Sequence, residues 1–146
     1  MDKRKKAENL IKKEYKKVKE EPIPSLGISV GLIDNNYFKW KIRIIAPDDS
    51  IYAGGLFEIN IEFNEDFPDS KPNIKFITKI YHCNVSDEGD IDIPSINKWN
   101  NTITMNEVLS DIFSLFYEQN PDHNFNQEVS YEYIHNRNEF LKKLKK

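Results

Sequence analysis

The chain has 146 residues, with 21 Lys and Arg against 24 Asp and Glu, a formal net charge of −3. That length suits one domain spanning residues 1–146, and a domain near this size buries roughly 68–70% of its unfolded surface without staples. The near balance of charge argues against a nucleic-acid binder, which would show a strongly basic face. One cysteine allows neither an internal disulfide nor a Cys-based zinc site. No apolar run follows Met1-Asp2-Lys3-Arg4, and no stretch approaches the roughly 18 apolar residues of a membrane span. The expectation is a chain with no membrane association, in a reducing compartment, cytoplasmic or nuclear.

Residues Asp2 to about Glu20 lack Gly and Pro, and Ala7, Leu10, Ile11, Glu14, Tyr15 and Val18 fall near one helical face. This predicts a helix that ends before Pro22 and Pro24. Its other face is a run of lysines, either solvated or a docking surface for an acidic partner.

The period then becomes strand-like. Ile28-Ser29-Val30-Gly31-Leu32 alternates, Asn35-Asn36 reads as a turn, and Phe38 to Ile44 alternates again. Leu56 to Phe63 predicts a third strand, and Asn73 to Ile77 a short fourth. Short connections favour an antiparallel meander. From Thr78 to about Met105 the pattern is lost, and an irregular run of about 25 residues in a compact domain is usually functional. Val108, Leu109, Ile112, Leu115 and Phe116 restore a helical stripe, broken at Asn120-Pro121. A last helical segment runs from about Gln127 to Lys146 and ends in lysines, which suit a helix C-terminus. The class is α+β: N-terminal helix, four-stranded antiparallel meander, long loop, C-terminal helices.

In this order the residues resemble the ubiquitin-conjugating enzymes from end to end. The most specific match is Ala46-Pro47 through Tyr52-Ala53-Gly54-Gly55-Leu56-Phe57. Phe67-Pro68, Pro72, Tyr81-His82, Trp99 and Asn120-Pro121-Asp122 follow in family order. The family carries ubiquitin, or a related modifier, as a cysteine thioester and hands it to a lysine amine. Its pattern reads His-Pro-Asn, a Gly seven places after the His, then Ile-Cys. His82, Asn84, Gly89 and Ile91 stand at those places, and Asp92 stands at the place of the cysteine.

A carboxylate cannot replace the thiol, because its attack would give a mixed anhydride that water readily destroys. Asp92 reads instead as a loop carboxylate bonding nearby amides. Cys83, the only thiol, occupies the place of the motif proline beside His82. Sequence neighbours rarely face each other, so it reads as a small buried residue rather than a nucleophile. Asn84 matches the asparagine that the family is thought to use at the oxyanion. Without a nucleophile it reads as a brace for the loop.

Further departures accompany Asp92. His123 stands where the family often has an acid near the attacking lysine. Asp69 stands where an aromatic usually meets ligases, and Asn100-Asn101-Thr102 replaces Ser-Pro-Ala after the tryptophan. The set resembles the conjugating-enzyme variants, which keep the fold and lack the cysteine. That resemblance implies a non-catalytic protein that binds an active conjugating enzyme, ubiquitin or a ubiquitin-like protein, with a ligase as a further candidate partner. The alternatives are an active enzyme, through Cys83 or with Asp92 an altered catalytic cysteine, and an interaction domain of the RWD kind. Ser29, Lys39, Lys41 and Arg43 alternate with apolar positions on the first two strands and are expected to point outward as a partner surface, with Asp69, Asn100 and Asn101 a second candidate. No cofactor or metal motif is expected, since His82, His123 and His135 lack ligand spacing.

Overall fold

The computed structural model describes residues 2–20 and 27–144. Pro22 and Pro24 lie outside the described residues. Helix α1 spans Lys3–Glu20 and buries Ala7, Ile11 and Val18. These three, with the half-buried Leu10 and Tyr15, form the apolar stripe expected from the spacing. Lys5, Lys12, Lys13, Lys16 and Lys17 are exposed on the opposite side.

Four strands follow as a meander, β1 Ile28–Ile33, β2 Asn36–Ile45, β3 Leu56–Glu62 and β4 Asn73–Phe76, ordered β1-β2-β3-β4 and antiparallel throughout. The first connection is one residue earlier than the sequence implied. Asp34 and Asn35 both take left-handed backbone angles, φ 53° and 57°, so Asn36 already belongs to β2. Two consecutive residues at positive φ make the tight turn whose twist matches paired strands, and Asp and Asn tolerate it best.

The inner face of the sheet carries Phe38, Trp40, Ile42 and Ile44 from β2, Phe57, Ile59 and Ile61 from β3, and Ile74 and Phe76 from β4, all buried. Each such side chain contributes roughly 1.5–3 kcal/mol by leaving water. Helix α3, Met105–Ser114, lays Met105, Val108, Leu109 and Ile112 into this core and packs beside α1. Its start is fixed by Thr104, whose hydroxyl accepts from Glu107 N while Glu107 returns a bond to Thr104 N.

The long irregular stretch is more ordered than its composition implied. It contains a one-turn helix α2, Pro94–Asn97, and two isolated bridges, Lys75↔Asp90 and Val85↔Ile91. Gly89 ties the loop to the sheet: its φ is +91°, and a Cβ there would lie 2.3 Å from the carbonyl oxygen of Phe76. Only glycine meets both demands.

The C-terminal segment forms two helices rather than one, α4 Gln127–His135 and α5 Arg137–Leu144. Asn136 makes the break. Its N–H closes α4 on Glu132 O at 2.7 Å, while its side chain accepts from Glu139 N at 3.4 Å as the start of α5. An asparagine competes with the helix for its own backbone and so serves both ends. The bend lets Phe140 of α5 and Val129 of α4 close over Cys83 in a second apolar cluster.

Candidate functional site

The site is built where the loop after β4 meets the segment after α3. His82 is fully buried and stacks against Tyr52, ring centroids 5.9 Å apart. Its Nδ1 accepts from Asn84 N at 2.9 Å, so the network assigns the proton to Nε2, which donates to Leu115 O at 2.6 Å. Burial pulls its pKa down to about 4. This motif histidine is therefore neutral and inaccessible, and it pins one loop to another.

Asn84 spends its whole side chain on bracing. Nδ2 donates to Asp92 Oδ2 at 2.9 Å and to Asn120 O at 3.0 Å, and Oδ1 accepts from Asn120 N at 2.9 Å. Both amide hydrogens are taken, so no donor is left for an oxyanion in this arrangement.

Asp92 is 8% exposed. Asn97 Nδ2 donates to its Oδ1 at 2.5 Å, Asn84 Nδ2 to its Oδ2, and His123 Nδ1 lies 2.8 Å from the same Oδ2. Burial pushes its pKa up, but the bonds from Asn97, Asn84 and His123 outweigh that and hold it below the ordinary carboxylate value. The donors to this loop carboxylate are two side-chain amides and an imidazole.

His123, on a 3₁₀ turn Pro121–His123, is half exposed, and its Nε2 lies 3.1 Å from Asn120 Nδ2. By sequence, His123 stands at the place of the family acid as one of the departures that accompany Asp92. In three dimensions it is the partner of Asp92, 31 residues away. The two departures form one pair. Asn97 and Asn120 were missed as members of this network, and their only trace in the sequence is the density of asparagines around the motif.

Cys83 points away from this network. It is fully buried among Val129 and Phe140, and burial pushes its thiol up. Its backbone is held at both ends, with Cys83 N donating to Gln119 Oε1 at 2.8 Å and Cys83 O accepting from Asn126 N at 3.1 Å. A buried thiol with a raised pKa is a poor nucleophile.

The second candidate surface is joined in part. Asn101 Nδ2 donates to Asp69 Oδ1 at 3.2 Å, and Trp99 Nε1 donates to Pro68 O at 2.8 Å. Asn100 turns back to accept from Thr102 N at 2.9 Å. Asp69, Asn100 and Asn101 are all exposed, so this place offers polar groups in place of an apolar platform. Ser29, Lys39, Lys41 and Arg43 stand on the outer face of the sheet, with Ser29, Lys39 and Arg43 exposed and Lys41 half-buried. Beside them the structure adds a row that strand patterning left unremarked: Ile45 and Leu56 are 61% and 60% exposed, and Ile77 is 53% exposed.

Among the described residues no group of His, Cys, Asp and Glu is arranged to hold a metal ion. No helix there is long and apolar enough to cross a membrane.

Comparison with known proteins agrees with the fold. The family model of the ubiquitin-conjugating enzymes matches residues 10–146. Ubiquitin-conjugating enzyme E2 14 of Schizosaccharomyces pombe is 36% identical over 134 residues, 90% of this chain and 85% of that protein. Ubiquitin-conjugating enzyme E2 2 of Saccharomyces cerevisiae is 30% identical over 140 residues, 95% of this chain and 80% of that protein. A probable ubiquitin-conjugating enzyme of Acanthamoeba polyphaga mimivirus is 33% identical over 138 residues, 92% of this chain and 87% of that protein. With the helix, meander, braced loop and C-terminal helices all present in family order, this chain belongs to the ubiquitin-conjugating enzyme family.

Proposed function

We propose that this chain serves ubiquitin, or ubiquitin-like, conjugation without carrying the modifier itself, as a variant that binds an active conjugating enzyme, the modifier, or both. The observation that carries this reading is Asp92. It occupies the place of the family cysteine and is buried in a network that satisfies it as a carboxylate, through Asn84, Asn97 and His123. A site built around a nucleophile would leave that atom open to its substrate. Here both carboxylate oxygens are engaged.

The chain's contribution under this reading is positional. Holding a modifier or a loaded enzyme in orientation offsets part of the cost of bringing two reactants together, and well-oriented groups gain up to about 7–11 kcal/mol in favourable cases. No bond to the modifier is made by this chain.

The competing reading, a thioester on Cys83, requires the thiol to leave the pocket formed with Val129 and Phe140. One experiment separates the two. The chain is incubated with activating enzyme, ATP and labelled modifier, alone and with active conjugating enzymes, and resolved with and without thiol reductant. The expected result is no reductant-sensitive adduct on this chain. A reductant-sensitive adduct that disappears in Cys83→Ala overturns the proposal.

A further inference from the structure

The outer face of the sheet is laid out in a self-complementary way. Strand β2 presents Lys39, Lys41, Arg43 and Ile45 there, and β3 presents Leu56, Glu58, Asn60 and Glu62. The register pairs them one to one: Lys39 with Glu62, Lys41 with Asn60, Arg43 with Glu58, Ile45 with Leu56. One strand is a row of cations ending in an aliphatic residue. Its neighbour is a row of acids and an amide ending in an aliphatic residue at the same level.

We propose that this face is an interface for a second copy of the chain, joined by a two-fold axis that runs along the strands between β2 and β3. Such an axis carries β2 of one copy over β3 of the other at the same height. Every residue then faces the copy of its own register partner. Arg43 meets the second copy's Glu58, Lys39 meets its Glu62, and Ile45 meets its Leu56. Isologous contact needs a patch that complements itself under a two-fold rotation, and this arrangement has that property. Face-to-face sheets cross at about 30°, so the match is closest over the two or three residue pairs nearest the crossing.

Three observations favour a second copy over other occupants. Ile45 and Leu56 are register partners, and Ile77, whose N–H bonds Glu58 O at 2.8 Å, stands diagonal to Leu56, so three exposed aliphatic side chains share one end of the face. The face carries both signs, three cations on β2 against two acids on β3, rather than one sign, so two copies are not driven apart by like charge. Within one copy the pairs are loose: Arg43 Nε lies 3.4 Å and Lys41 Nζ 4.0 Å from the same Glu58 oxygen, and Glu62 has no ion pair among the described residues. Cations held this weakly at an exposed site lose little when they turn to the acid of a second copy.

The inference is independent of Asp92 and stands or falls on its own measurement. Sedimentation equilibrium of the full chain, up to about 1 mM to include weak association, reads the mass directly. The expected result is a rise from 17.3 kDa toward twice that value with concentration. Arg43→Glu and Glu58→Arg are each expected to weaken association by roughly tenfold or more, because like charges then face each other. An equimolar mixture of the two variants is expected to restore it, since one protomer presents two acids and the other two bases. Leu56→Asp is expected to abolish it, and far-UV circular dichroism checks that this exposed substitution leaves the fold intact. A monomer at every concentration overturns the proposal. So does a dimer indifferent to the charge reversals, or one that the mixture fails to restore. NMR titration with ubiquitin that shifts Lys39, Arg43 and Ile45, in a chain that remains monomeric, would assign the face to the modifier instead.

Discussion

His82 offers the sharpest test of how this site is built. Its ring is fully buried, its Nδ1 accepts from Asn84 N, and its Nε2 donates to Leu115 O, so the folded state holds it neutral. Burial pulls its pKa from 6.5 to about 4. In the unfolded chain the same ring titrates near its ordinary value. The unfolded state therefore binds a proton that the folded state refuses, and stability falls as the pH drops from 6.5 toward 4. The contribution is intact above the unfolded value and gone below the folded one. Taking the two values in the linkage relation, the loss is about 2 kcal/mol at pH 5 and about 3 kcal/mol at pH 4. That is a large share of the roughly 5–15 kcal/mol that stabilises a domain. The perturbation is His82→Gln, whose amide can still donate to Leu115 O but does not titrate. The assay is urea unfolding of both proteins across pH 7 to 4, with the difference between them plotted against pH, so that carboxylates common to both cancel. The variant starts less stable at neutral pH, by about 1–3 kcal/mol for the orphaned Asn84 N–H. The gap is expected to close, and the order to approach reversal, as the pH reaches 4. A gap that stays constant across this range would refute the claim that His82 is held neutral in the fold.

Four further outcomes follow from the same geometry. Asp92→Asn replaces an acceptor of three bonds by a group with one acceptor oxygen, and thermal unfolding is expected to show a loss of about 1–3 kcal/mol at neutral pH. Because the folded-state pKa of Asp92 is depressed, that advantage over the amide is present above the ordinary carboxylate value and disappears as the pH falls through the lower folded one. Asp92→Cys is expected not to restore ligase-dependent transfer, since Asp69 and Asn101 are bonded to each other where an apolar centre would carry most of a ligase interface; efficient discharge with a common ligase would show otherwise. Cys83 is expected to resist a soluble thiol reagent in the folded protein and to react at once in denaturant, and fast labelling in native buffer would contradict its burial. Gly89→Ala sets a Cβ against Phe76 O and demands a left-handed residue, so a drop of more than about 2 kcal/mol in urea unfolding is expected.

Family membership carries the expectation of contact with ubiquitin and with activating enzymes and ligases in general. The polar groups around the candidate site are not scattered. Asp92 and His123 are paired, and Asp69 and Asn101 are paired. A buried carboxylate needs donors to offset its lost hydration. This one has three. The surroundings of Asp92 suit the residue present, which is the physical ground for reading the site as a brace.

Strand alternation, the helical stripe of α1 and the spacing of His82, Asn84, Gly89 and Asp92 were legible in the chain, because each depends on neighbours within a few residues. Alternation sets which side of a strand meets water, and so assigns Lys39, Lys41 and Arg43 to the outer face without reference to any tertiary contact. The identity of residue 92 excluded thioester chemistry there, since that is a property of the side chain and not of its surroundings. Tertiary structure decided the rest. The break at Asn136 divides a segment whose period reads as one helix, because a cap competes with helix continuation only when the packing of Phe140 rewards the bend. The fate of Cys83 turned on α4 and α5 folding back over it, more than 40 residues along the chain. The partnership of Asp92 with His123 spans 31 residues, and no periodicity signals it, because the loop after β4 and the turn after α3 meet only once α3 has docked on the sheet. A hydrogen bond is a matter of ångströms in space, and a sequence specifies distance only along the chain.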